Sequence, residues 1–93
     1  MFNTYAILFR NNHGAMKYCT FHASDAKDAV RQFFISHKSD KVDTNLICKL
    51  TDCLLLEQLI EIHNAIDPSY TITDIFNISL VEYSNHQNYQ KED

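Results

Sequence analysis

The chain has 93 residues and a formal net charge of −4, which leaves room for one domain and a small core. It is 45% hydrophobic and 22% charged, with one glycine and one proline, which excludes collagen-like, Gly/Ser-linker and proline-rich disordered chains. No apolar run approaches the ~20 residues of a membrane span. Met1-Phe2-Asn3-Thr4-Tyr5 has no basic region ahead of its apolar stretch, so no signal peptide is expected and a cytoplasmic setting is.

Residues 4–10 alternate, with Tyr5, Ile7 and Phe9 on one side and Ala6, Leu8 and Arg10 on the other. That period and the aromatic and β-branched content predict a strand. Asn11-Asn12-His13-Gly14 follows, a run that tolerates positive φ, and then a second strand over 15–23. Strand, Asn/Gly turn and strand make a hairpin. Met16, Tyr18, Thr20 and His22 share one face of the second strand, opposite Lys17, Cys19 and Phe21. Both faces carry aromatics, so the period leaves open which is buried.

Ser24-Asp25 supplies a hydroxyl cap and an acid at a helix start. Ala26, Val30, Phe33, Phe34 and His37 then form one apolar stripe, and Lys27, Asp28, Arg31 and Gln32 the wet side. Residues 36–40 lose the pattern and read as helix end and loop. A second helix is predicted over 53–66, capped by Thr51 or Asp52, with Leu55, Leu59, Ile62 and Ile66 as its stripe. It ends before Asp67-Pro68, since the residue before a proline avoids α geometry. Residues 42–50 fit two templates. Val42, Thr44, Leu46, Cys48 and Leu50 alternate as a strand would, whereas Asp43-Thr44-Asn45 is a better helix cap, which tips the stretch toward helix or irregular structure. A last strand is predicted over 75–83, from the alternation of Phe76, Ile78 and Leu80. Residues 84–93 hold one aromatic and no aliphatic side chain and read as a loose polar tail.

Cys19, Cys48 and Cys53 are an odd set without Cys-x-x-Cys spacing, so they read as reduced thiols packed as small hydrophobes. His13, His22, His37, His63 and His86 fall in five different predicted elements with no metal-binding spacing. No nucleophile motif and no glycine-rich phosphate loop is present. Neither catalysis nor a cofactor nor a metal is therefore expected. Tyr5, Phe9, Tyr18 and Phe21 on the hairpin, with Arg10 and Lys17 beside its turn, could stack the bases of a single strand. The same rings are also natural partners for Phe33 and Phe34, and a net negative charge opposes phosphate binding.

Charge is unevenly divided. Residues 1–41 carry six bases against three acids, and residues 42–93 carry nine acids against two bases. Asp52, Glu57, Glu61, Asn64, Asp67 and Asp74, with Glu82 nearby, are the candidate partner-binding residues, an acidic surface suited to a partner's basic groove. An ordinary solvated helix face accounts for the same residues. Self-association through a sheet edge, giving a homodimer, is also compatible.

The opening Tyr5-Ala6-Ile7-Leu8-Phe9, the Asn-Asn-His-Gly turn, the second strand and Ala23-Ser24-Asp25-Ala26-Lys27-Asp28-Ala29-Val30 together resemble small hairpin–helix proteins carried by phages and plasmids, anti-CRISPR inhibitors among them. The likeness covers residues 4–38. It implies an inhibitor that occludes a nucleic-acid-binding or effector surface of a host protein or ribonucleoprotein. It transfers no site residue, because that class shares no motif.

The expected fold is α+β: a two-layer sandwich over residues 1–83 in which a three-stranded antiparallel sheet in ββααβ order packs against two helices. The alternative is a ββαβαβ order with a fourth strand at 45–50. The expected function is a non-enzymatic protein-binding module without a membrane partner. The alternative is a small single-stranded nucleic-acid-binding domain.

Overall fold

The computed structural model describes residues 2–37 and 42–79. Two strands, β1 (Asn3–Asn11) and β2 (Met16–Ala23), form the expected hairpin. Its loop is closed by Asn11, whose Oδ1 accepts the backbone N–H groups of His13 at 2.9 Å and Ala15 at 3.0 Å. Gly14 sits at φ 79°, the left-handed position that ends such a loop and that glycine occupies without steric cost.

Helix α1 (Ala26–His37) follows. Its N-terminus is satisfied by two aspartates rather than by the Ser24 hydroxyl. Asp25 Oδ1 accepts the Asp28 N–H at 2.8 Å, and the Asp28 carboxylate reaches back to the Ser24 N–H at 3.1 Å. The expected stripe is buried at Val30, Phe33 and Phe34, joined by Ala29.

Residues 42–66 hold two helices where one was expected, and no strand forms at 45–50. Helix α2 (Thr44–Cys53) starts at Asp43, whose side chain accepts the Asn45 N–H. Helix α3 (Leu56–Ile66) starts three residues later than expected. Thr51, read as a possible cap, lies buried inside α2 with its hydroxyl donating to the Ile47 carbonyl at 2.8 Å. The break falls at Leu54 and Leu55, both extended. Polar groups from elsewhere satisfy it. Lys27 Nζ donates to the Leu54 carbonyl, and Gln58 Oε1 accepts the Leu55 N–H. A run of leucines carries no such signal of its own.

The last strand, β3 (Tyr70–Asn77), begins five residues before the expected 75–83 segment; its later part, 80–83, lies outside the described residues, as does the 84–93 tail. Strand β3 pairs antiparallel with β1, giving the order β2-β1-β3. Its early start comes from Asn64 on α3. That amide accepts the Ile72 N–H at 2.8 Å and donates to the Ile72 carbonyl at 3.0 Å, as a neighbouring strand would. Ile72 pairs with Phe9 and Asp74 with Leu8, so Thr73 is an extra residue, a β-bulge.

The result is an α+β fold with three helices on one face of a three-stranded antiparallel sheet. Ile7 and Phe9 from β1, Val30 and Phe33 from α1, Leu59 from α3 and Ile72 from β3 meet in one core. The Phe33 ring stands at its centre, 5.1 Å from Phe9 and 5.3 Å from His63. Phe34, Val42 and Ile47 form a smaller cluster between α1 and α2.

Candidate functional site

Pleating sends Tyr5, Ile7 and Phe9 of β1, with Cys19 and Phe21 of β2, toward the helices. Three of the four hairpin aromatics considered for base stacking are thus core residues, and burial raises the Cys19 thiol above its ordinary range. Tyr18 points the other way and is 71% exposed. Its cross-strand neighbour is Leu8, which on its other side faces Asp74; the next row is Thr20–Ala6–Phe76. Met16, 51% exposed, and Phe76, 47% exposed, lie on the same face, and Arg10 stands opposite Met16. None of the described helices packs there.

Phe76 reaches this face because of the bulge. Tyr70 and Ile72 face the helices, the extra Thr73 shifts the phase, and Ile75 then turns inward opposite Ile7. Phe76 and Asp74 turn outward. An unbroken alternation from Tyr70 would have buried Phe76.

The six acidic-side candidates do not form one group. Asp52, Glu57 and Glu61 are exposed on α2 and α3. Asn64 is half-buried and committed to Ile72, with its Oδ1 also 2.9 Å from His63 Nδ1. Asp67 ends α3, its N–H donating to the His63 carbonyl and its carbonyl accepting from Tyr70. Asp74 lies on the opposite layer, its carboxylate accepting the Ile75 N–H at 2.8 Å. Glu82 is outside the described residues. Two clefts separate the candidates further. A cavity of about 420 Å³ between α1 and α2 is lined by Lys27, Asp28, Arg31, Cys48 and Asp52. Another of about 480 Å³ at the hairpin end is lined by Phe9, Asn11, Lys17, Asp67 and Tyr70.

Within the first cleft Arg31 and Asp28 satisfy one another. Arg31 donates to Asp28 through Nε at 2.9 Å and through its terminal nitrogen. Burial works against ionisation of Asp28, but hydrogen bonds from Arg31 and Ser24 outweigh it and hold the carboxyl below the usual range. This is the one ion pair among the described residues, so Asp52, Glu57 and Glu61 have no Lys or Arg partner there.

His63 is the one fully buried histidine among the described residues. Asn64 Oδ1 is an acceptor, so His63 Nδ1 carries the proton, a tautomer assigned from the network. Nε2 then lies buried beside Phe33 and Phe34 with no hydrogen-bond partner among the described residues. Burial lowers its pKa and nearby His37 adds to the effect, against Asn64 and Asp67, which raise it. His37 itself packs on Tyr70 with ring centroids 4.3 Å apart. Among the described residues no three His, Cys, Asp or Glu side chains converge on a metal-sized site, and no helix is long and apolar enough to cross a membrane.

The residues that make the open face were only partly legible beforehand. Tyr18 was named with the hairpin aromatics and Phe76 with the final strand, but their convergence depends on the bulge. No protein family, curated protein or solved structure matches the chain.

Proposed function

We propose that this protein is a non-enzymatic binding module whose contact surface is the helix-free face of its sheet. One observation carries the reading: Met16, Tyr18 and Phe76, three large apolar side chains, stand exposed together on a strand surface while a full helical layer covers the other side. Solvated sheet faces are ordinarily polar, and contiguous apolar groups on them mark contact sites. A photo-crosslinking residue at position 18 or 76 is expected to trap a discrete partner in cells, and one at Lys49 on α2 is not. Competition by the unlabelled wild-type protein, but not by a Tyr18→Ala/Phe76→Ala variant, completes the test. Equal trapping from all three positions overturns the reading.

The exposed Asp52, Glu57 and Glu61 favour a second reading, in which α2 and α3 dock on a basic surface of a host protein or ribonucleoprotein, as an inhibitor of the anti-CRISPR kind would. Charge complementarity of this sort acts chiefly on encounter rate and is screened by salt. Glu57→Lys with Glu61→Lys then slows association with a trapped partner; an unchanged affinity and rate dismiss this reading.

A further inference from the structure

Resting on the sheet-face reading, we infer that the face takes a short run of single-stranded nucleic acid, with bases stacked on Tyr18 and Phe76 and a phosphate held by Arg10. Three observations converge. The exposed rings stand on the two edge strands, and the central strand between them offers Ala6 and Leu8. Small or slim residues between two exposed rings make a shallow platform suited to flat bases rather than a pocket for a peptide side chain.

The charge is also suitable. On this face the hairpin presents Arg10 and His22 and no carboxylate, while Lys17 lies on the helical side opposite Phe9. The exposed acids Asp52, Glu57 and Glu61 lie on the helical layer instead. The net charge of −4 therefore does not describe the surface the ligand meets. Asp74 is the exception on this face, and its carboxylate is turned to the backbone N–H of Ile75.

Finally, the row beside the rings supplies polar groups at backbone height. Thr20 and His22 are both exposed. These are donors and acceptors for sugar and base edges without a fixed sequence code.

The full chain is titrated into labelled oligothymidylate and oligouridylate of about a dozen nucleotides, within the range of site sizes for such platforms, and into a duplex of equal length. Both single strands are expected to bind and the duplex not, since its base faces are closed. The ratio of the two affinities tells whether DNA or RNA is favoured. Tyr18→Ala and Phe76→Ala, both on exposed rings, each weaken binding about fivefold or more, and Tyr18→Phe restores it. With Arg10 as the cation, a fourfold rise in salt weakens binding only about 2.6-fold, the response of about one neutralised phosphate. Glu57→Gln/Glu61→Gln leaves binding unchanged.

Preference for the duplex, or binding indifferent to Tyr18 and Phe76, overturns the inference. So does absence of binding, and light scattering of the same samples then separates the two levels. Self-association abolished by Tyr18→Ala/Phe76→Ala removes nucleic acid as the occupant and leaves the contact face in place, filled by a second copy. A monomer that ignores both oligonucleotides removes the nucleic acid alone, and the contact face then falls only if crosslinking from positions 18, 76 and 49 is equal.

Discussion

The two faces of one sheet differ in almost every physical respect. On the helical side Ile7, Phe9, Phe33 and Ile72 exclude water, and Phe33 packs on the buried imidazole of His63. On the other side Tyr18, Met16 and Phe76 stand in solvent with Arg10 and Thr20. Both faces carry aromatic residues, so composition does not separate them. The difference is that the first set interlocks with three helices, and its rings gain dispersion and burial together. The second set gains neither within the described residues. Apolar side chains placed where the fold draws little stability from them are available to stabilise something else.

This contrast sets the scale of the expected effects. Phe33→Ala removes the central ring of the core and should cost about 3–5 kcal/mol in denaturant unfolding, enough to threaten the folded state. Tyr18→Ala or Phe76→Ala should change stability by no more than about 0.5 kcal/mol; a loss near that of Phe33→Ala would mean that the open face is covered.

Asn64→Ala comes next. It strips the Ile72 N–H and carbonyl of their side-chain partners and should cost about 1–3 kcal/mol, with amide exchange accelerated at Ile72 in particular. If exchange rises uniformly across the sheet instead, Asn64 does not anchor β3 locally.

Acid should act on the buried side alone. The folded state holds the His63 pKa below that of the unfolded chain, so as pH falls through about 6.5 the unfolded state takes up a proton that the folded state refuses. Stability is therefore complete at neutral pH and declines from about pH 7 toward 5.5, with the melting temperature following. His63→Phe should flatten that slope. His37, which packs beside Phe33 and Tyr70, is the control: a slope that survives His63→Phe and disappears in His37→Phe assigns the titration to the wrong ring here. The Arg31–Asp28 pair stabilises the fold at neutral pH, and that contribution is lost only at lower pH, below the ordinary carboxylate range, where the depressed Asp28 carboxyl is finally protonated.

A smaller effect than those of Phe33→Ala and Asn64→Ala belongs to the hairpin loop. Gly14→Ala meets no atom within 4 Å but must hold a φ of 79°, which costs about 1 kcal/mol. Its expected signature is a small loss of stability with oligonucleotide affinity retained.

Elements with a clean period were legible from the residues alone. The hairpin, α1 and the body of α3 follow from alternation or from a 3.6-residue stripe that tertiary structure does not override. The Leu54–Leu55 break was not, because three consecutive leucines continue a helical stripe and the groups that allow the chain to turn, Lys27 and Gln58, are a different helix's lysine and a glutamine one turn on. Strand β3 was misplaced for a related reason. Its first half is held by a side chain, Asn64, performing a backbone role, and its phase is reset by Thr73. The acidic residues were legible as solvent-facing at Asp52, Glu57 and Glu61. What could not be read was grouping: Asn64 and Asp67 serve α3 and its exit, and Asp74 is on the far layer.

The extra residue at Thr73 has a reach beyond its own strand. A regular ladder that paired Thr73 as well would run with a single parity, presenting Ile75 to water and tucking Phe76 under the helices. Taking Thr73 out has no such effect, because Ile72, Asp74, Ile75 and Phe76 would still stand opposite Phe9, Leu8, Ile7 and Ala6. A chain shortened by that one codon should keep its helices, its open face and whatever the protein holds.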